Sequence, residues 1–510
     1  MFLTIEQGKE KKWHIRNKDV SSSQAVAQIA SELNLQTVVA QLLYDRGYKT
    51  PEAARQFVRM ETEMLCDPMR LKDIEKALDR VELAVAKKHK IVIYGDYDVD
   101  GVTSVCTLFL YLRSIGADVQ YYIPSRSGEG HGVSCASIEK FAKEGVRLII
   151  TVDTGITAIE EVEYAKTVGV DFIITDHHEC HGQLPDARAV VNPHRPDCPY
   201  PFKELAGVGV VFKLICALHC RISRQPMLNC VRDIMNNYGD LVAIGTIADV
   251  MPIVGENKLI VARGLQMLQK TERVGIIALM EAAAMTHVRK VGGGPVYKKK
   301  PKINSAYIGY TLAPRINAAG RIRNASIAVE LFLTDDFAVA DELALILCEA
   351  NKERQAEENR IMQEAFTIIE EEHDFENEPM IVLESDTWHH GVIGIVASRI
   401  TEKYGLPSIL ISFDGCDPDA HSFDDMGKGS GRSVHGLNLV EALFNCSELL
   451  PKFGGHELAA GLSIRRGDVP AFCDAVNKYA REKLSSSPIE NVVEADAEIS
   501  LSDVNMEVAT

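Results

Sequence analysis

The feature that most constrains this chain is a stretch in which short β-rich runs alternate with helical ones. KIVIYG is followed by a helical pattern near TSVCTLFLYLRSIG, then VRLIITVDTG, a second helical pattern near TAIEEVEYAKTVGV, and DFIITDHHE. Parallel strands need crossover connections, so this alternation predicts a parallel sheet with helices on its faces. In an open sheet of that kind ligands gather beyond the carboxyl ends of the strands. Each of the apolar runs ends there in acidic side chains.

Asp96, Asp98 and Asp100 recur at every second residue in YGDYDVDGVTS, directly after KIVI. The second run ends in Asp153 and the third in Asp176, His177 and His178. A fourth acidic residue, Asp249, closes the apolar run of LVAIGTIADVMPIVGENK and is followed by a turn. One Asp after a strand is ordinarily a helix N-cap, and a lone His-His pair is ordinarily a surface feature. Four strand-to-loop junctions offering the same chemistry in one alternating unit point instead to cations, because crowded carboxylates repel unless neutralised. Ligation by Asp and His with oxygen in the majority suits Mn²⁺ or Mg²⁺ better than zinc, and imidazole favours Mn²⁺. Two such ions about 3.5–4 Å apart can activate water near neutral pH and stabilise both oxygens of an in-line displacement at phosphorus.

The remainder of the chain reads as several domains, since 510 residues with 46% hydrophobic content can bury more than one core. Helical spacing from about Ser23 to Lys88, as in IEKALDRVELAVAKK, predicts a helical preface. A second helical stretch runs to about Gly294, where the glycine-rich and then basic loop GGGPVYKKKPK begins. A long helical pattern from about Ala338 to His373 has a polar middle, NKERQAEENR, and reads as a bridge between domains. MIVLES, SILIS and GIVASRITEKYG mark a second α/β domain. The final VVEADAEISLSDVNMEVAT is an alternating, strand-like run with no evident partner, which suggests a further segment downstream. A formal net charge of −17 excludes a surface that coats nucleic acid everywhere, so any polyanion site must be locally basic or metal-bearing. Lys298, Lys299, Lys300 and Lys302 offer such a local patch, although charge runs in loops are more often simply solvated. The twelve cysteines include no CxxC pair, and neither a signal-peptide core nor eighteen consecutive apolar residues occurs. These traits suit a cytoplasmic protein with reduced thiols and no membrane span.

In order, DYDVDG, VDTG, DHH and GTIADVMP resemble the signature motifs of the DHH phosphoesterases. LLYDRGYKTPEAARQFV, GYTLAPRINAAGRI, WHHGVIGIVASRI, GSGRSVHGLNLVEAL and FGGHELAAGLSI resemble the RecJ branch with its DHHA1 domain, and the likeness runs from about Leu42 to Ile464. The resemblance implies two α/β domains, a parallel-sheet DHH domain and a smaller DHHA1 domain, joined by a long helix with the active-site cleft between them. The expected organisation is a helical preface at 1–88, the DHH domain with a helical insert at 89–337, a connecting helix at 338–373, DHHA1 at 374–485, and the start of a truncated or absent OB-like domain at 486–510. It further implies 5′ to 3′ hydrolysis of single-stranded DNA to mononucleotides in repair and recombination.

Carried over by motif, Asp98 holds one metal, Asp100 the other and Asp153 bridges them, with His177 and Asp249 completing the shell and His178 facing the scissile phosphate. Some members place a histidine ligand where this chain has Tyr94, and Asp96 stands as its substitute. Expected strand contacts are Arg126 in IPSRSGEGHG, Arg315, Asn317 and Arg321 in APRINAAGR, Arg432 with Ser433 in GSGRSVHG, and His456 in GGHELAAG. The family also implies single-strand-binding protein and a RecQ-type helicase as partners. Two other readings are a DHH phosphodiesterase of short oligonucleotides or cyclic dinucleotides, and a non-catalytic replication scaffold. The preface and the APRINAAGR segment speak against the first, and the intact ligand set against the second.

Overall fold

The computed structural model describes residues 12–16, 23–58, 65–124, 132–180, 182–286, 302–416, 421–434, 436–486, 492–499, 501 and 504–505. Two compact units form, one of residues 60–353 and one of residues 1–59 together with 354–510. No helix among the described residues is long and apolar enough to cross a membrane.

In the 60–353 unit five strands run parallel in the order Val119–Tyr122, Lys90–Gly95, Val146–Val152, Asp171–Thr175 and Ala189–Val191. The strands are apolar on both sides because both faces are covered. Ile91, Ile93, Leu148, Ile150 and Ile173 point into a large core shared with the helices Val99–Ser114, Gly207–Ser223 and Met227–Ala248. Val92, Tyr94, Ile149, Phe172 and Ile174 point the other way, against Ile138 and Phe141 of helix Cys135–Lys143 and Val162 of helix Ile159–Thr167. The strand Lys90–Gly95 and its neighbours Val146–Val152 and Asp171–Thr175 thus deliver Asp96, Asp153 and Asp176 to one edge.

The second unit holds a five-stranded mixed sheet in the order Lys452–His456, Ala459–Arg465, Met426–Arg432, Ser408–Ser412 and Ile381–Ser385. Within this sheet Ile381–Ser385 and Ser408–Ser412 pair in parallel and the other described pairs are antiparallel. One continuous helix, Phe337–Glu372, contributes to both units. Beyond residue 353 its polar middle is laced by Arg354–Glu358, Arg360–Glu357 and Arg360–Glu364 ion pairs three and four residues apart, as an exposed helix face requires.

The N-terminal helices divide in a way that their periodicity does not reveal. Ile74–Ala86 buries Ile74, Ala77, Leu78 and Val81 in the parallel-sheet core. The helices Gln24–Leu33, Thr37–Asp45 and Pro51–Val58 instead bury Val26, Ile29, Ala40, Leu43 and Ala54 against one another and belong to the other unit. The strand-like run near the C-terminus also has a partner, contrary to the sequence reading. Val492–Ala495 pairs in parallel with Lys12–Ile15, and Arg16 reaches Glu494 and Asp496 from the end of that pairing. A strand partner some 480 residues away leaves no trace in local spacing.

Candidate metal centre

Asp98 ends the loop after strand Lys90–Gly95 and caps helix Val99–Ser114, its side chain accepting from Gly101 N at 3.0 Å. Asp100 sits in the first turn, 1% exposed, and accepts from Gly207 N at 2.6 Å and Val208 N at 2.9 Å. Those donors are the unpaired amides at the start of helix Gly207–Ser223, a favourable place for negative charge. Asp153 adopts a left-handed conformation, φ 59°, unusual for a residue with a Cβ. Its amide still donates to Thr175 O at 3.0 Å, so the turn keeps the ladder while redirecting the carboxyl.

Two glycines let these groups approach. A Cβ on Gly207 would stand 2.7 Å from Asp153 Oδ1, and one on Gly245 would stand 2.9 Å from Asp100 Oδ1 and 2.3 Å from Thr103 Oγ1.

His177 is 8% exposed, with Nε2 at 3.1 Å from Asp153 Oδ1, 3.6 Å from Asp249 Oδ2 and 3.9 Å from Asp100 Oδ2. Burial, reinforced by the neighbouring His178, pushes its pKa down to about 4, so the ring is neutral and free to ligate. His178 behaves in the opposite way. Burial works against its charged form, but the Asp176 hydrogen bond and surrounding carboxylates outweigh it and raise the pKa to about 9. Asp176, which the sequence reading placed with the other acidic strand ends, is the pillar of this loop. One oxygen accepts from Ile156 N at 2.9 Å, and the other from His177 N, His178 N and His178 Nδ1 at 2.7, 3.1 and 2.7 Å.

Asp249 corrects one expectation. The run before it is the helix Met227–Ala248 rather than a strand, and Asp249 is its C-terminal cap. The helix end nevertheless carries the carboxylate to His177. Tyr94 occupies the position for which Asp96 is the expected substitute. It is fully buried with Phe141 and Ile174 on the sheet face covered by the helices Cys135–Lys143 and Ile159–Thr167, its hydroxyl donating to Gly132 O at 3.1 Å.

The ligand-type atoms fall into overlapping groups, each within 4.8 Å: Asp96, Asp98 and Asp153; Asp100, His177 and Asp249; and Asp153, His177 and His178. Burial and mutual repulsion raise Asp100 to about 7 and Asp249 to about 8, and push Asp153 well above the usual carboxylate range. Among the described residues the buried Asp153 Oδ1 has no hydrogen-bond partner. Crowded buried carboxylates, one of them with an oxygen left without a donor among the described residues, beside a neutral imidazole fit an oxygen-rich divalent-cation site. A fourth group, His389, His390 and Asp414, lies in the other unit, but His389 Nδ1 already accepts from Gly391 N at 3.0 Å.

The expected strand contacts are distributed more widely. Arg315 is 5% exposed and donates to Thr311 O, while Asn317 accepts from Val99 N at 3.1 Å and so braces the loop of Asp98 and Asp100. Half-buried Arg321 lies on the same helix, Ala313–Ile322. In the other unit Arg432 donates to Ser398 Oγ, Ser430 Oγ and Gly431 O, Ser433 Oγ donates to Leu437 O, and His456 is exposed at a hairpin end. Arg126 and Lys298, Lys299 and Lys300 lie outside the described residues.

Residues 90–246 match the family model for the DHH family, N-terminal domain, and residues 377–482 match the DHHA1 domain. The chain is 38% identical over 496 residues to the single-stranded-DNA-specific exonuclease RecJ of Bacillus subtilis, covering 97% of this chain and 58% of that protein. To the RecJ of Haemophilus influenzae it is 35% identical over 478 residues, covering 92% of this chain and 79% of that protein. The crystal structure of Thermus thermophilus RecJ in complex with Mn²⁺ superposes with a TM-score of 0.79 at 30% identity, covering 98% of this chain and 66% of that one. The same protein in complex with Mg²⁺ gives 0.70 at 29% identity, covering 95% and 62%.

Proposed function

Because this chain belongs to the RecJ family of single-stranded-DNA-specific exonucleases, we propose that it hydrolyses single-stranded DNA from the 5′ end to mononucleotides, with Mn²⁺ or Mg²⁺ as cofactor. The observation that carries this reading is the buried carboxylate and imidazole cluster around Asp153, whose Oδ1 no donor among the described residues satisfies. Asp96, Asp98 and Asp153 would hold one cation and Asp100, His177 and Asp249 a second, and Asp153, whose Oδ1 lies 3.1 Å from His177 Nε2, would be shared between them. Bound divalent cations supply Lewis acidity toward a phosphodiester and toward water.

The chain's own groups do the rest. The amides of Gly207 and Val208 hold Asp100 in place, and the neutral ring of His177 keeps a lone pair available. His178, half-exposed and held protonated by Asp176, presents a positive N–H at the rim of the cluster, where it would meet phosphate charge. Arg126, Arg315, Asn317, Arg321, Arg432, Ser433 and His456 are the proposed contacts to the strand. A cytoplasmic role in DNA repair and recombination, beside single-strand-binding protein and a RecQ-type helicase, follows from the same family reading.

The test is hydrolysis of a 5′-phosphorylated, 3′-labelled oligonucleotide with Mn²⁺, Mg²⁺ or EDTA, comparing the wild type with Asp153→Ala. Losing the shared ligand should remove about 4 kcal/mol of transition-state stabilisation, roughly a thousandfold in rate. An intact strand under every metal, with hydrolysis of dinucleotides instead, would move the reading to a small-substrate phosphodiesterase.

A further inference from the structure

His177 and His178 are neighbours in the chain with opposite placements, one ring buried among the carboxylates of Asp100, Asp153 and Asp249 and the other half-exposed at the rim. They lie just past strand Asp171–Thr175, outside the ladder of the sheet. Side chains nevertheless claim all four of their backbone polar groups. Asp176 Oδ1 accepts from both amides, at 2.7 and 3.1 Å. On the carbonyl side, His194 Nδ1 donates to His177 O at 2.5 Å and Asn192 Nδ2 donates to His178 O at 2.9 Å. Asn192 Oδ1 in turn accepts from His194 N at 2.7 Å, which ties the two donors into one unit. Asn192 is fully buried, and it directly follows strand Ala189–Val191, the neighbour of the strand that carries the histidines.

We propose that Asn192 and His194 are positioning residues that clamp the His177–His178 peptide units, so that one ring enters the carboxylate cluster and the other stays at its rim. The inference rests on reading that cluster as a metal centre. Asp176 alone grips only the amide side of the pair. Without the carbonyl-side donors the two peptide planes could rotate about the Asp176 contacts, and each ring would swing with its plane. Groups behind metal ligands commonly change affinity or activity by one to two orders of magnitude when removed.

The experiment is Mn²⁺ binding to the full chain, read from the electron paramagnetic resonance signal of free Mn²⁺, beside steady-state hydrolysis of the oligonucleotide. His194→Ala and Asn192→Ala should each weaken Mn²⁺ binding and lower kcat by about 10–100-fold. KM for the strand and the melting temperature of the EDTA-treated protein should stay close to wild type. His194→Asn, whose amide nitrogen reaches the place of Nδ1, should restore binding, and His194→Gln should not. Wild-type Mn²⁺ affinity and kcat in His194→Ala would overturn the assignment, even if Asn192→Ala fails to fold. Losses explained wholly by a lower folded fraction would overturn it as well. A wild-type chain that binds no Mn²⁺ would overturn the metal reading itself and the clamp with it.

Discussion

Asp98 combines two roles that sequence reasoning sets against each other, capping helix Val99–Ser114 and standing among the grouped carboxylates. The cap explains how the triplet is held, since it fixes the loop from which Asp96 and Asp100 diverge. The carboxylates themselves make a pH prediction. Asp100 and Asp249 hold their protons in the folded metal-free protein to about pH 7 and about pH 8, against an ordinary value of 3.8. The folded state therefore binds more protons than the unfolded chain between those limits. Their contribution is fully present below about pH 3.8 and is lost as pH rises through about 7 to 8. Calorimetry in EDTA should show a melting temperature that falls across this window, and saturating Mn²⁺ should flatten the fall. Asp153→Asn should raise the melting temperature in EDTA above pH 8 while abolishing the Mn²⁺ response. Gly207→Ala, whose Cβ would stand 2.7 Å from Asp153 Oδ1, should weaken Mn²⁺ binding and destabilise the chain by about 1–3 kcal/mol, measured by urea titration.

Helices and loops around the sheet are tied by one buried ionic network. Lys213, fully buried on helix Gly207–Ser223, pairs with Glu256 of helix Gly255–Leu268 at 2.6 Å. Glu256 also accepts from Tyr200 Oη at 3.0 Å and from Cys66 N at 2.9 Å, and Lys213 donates to Cys66 O at 3.1 Å. Four separate stretches of chain meet there, behind the helix whose first amides hold Asp100. Removing one partner leaves an uncompensated buried charge, so Lys213→Met should cost about 3–5 kcal/mol in urea unfolding. The double variant Lys213→Met with Glu256→Leu should recover part of that loss. A single-variant cost no larger than that of an exposed pair would refute this role for the network.

Across the whole molecule, stability is divided between two units with separate cores. The unit formed from both chain ends is joined partly by the short parallel pairing of Lys12–Ile15 with Val492–Ala495. Proline at Val493, which faces Trp13 in that register, would break the ladder or strain it. Limited proteolysis of Val493→Pro should then cut faster within residues 23–58, while the 60–353 unit, with its own core, should resist as in the wild type. Equal cutting rates at both places would show that the terminal pairing carries no stability.

By itself the sequence determined the parallel α/β sheet, the long helix Phe337–Glu372 and the identity of the acidic and imidazole residues, because strand and helix periods and strand-end residues are local patterns. It was silent on what those groups meet. That Asp249 arrives on a helix end, that Tyr94 packs with Phe141 and Ile174, and that Asp176 serves as a hydrogen-bond pillar rest on pairings between residues distant in the chain. The neutral His177 beside the cationic His178 depends on burial and on Asp176. The same holds for the partner of Val492–Ala495 and for the grip of Asn192 and His194. Charge state, burial and hydrogen-bond partner are properties of a surrounding that exists only once the chain has closed, and so the tertiary structure alone decided them.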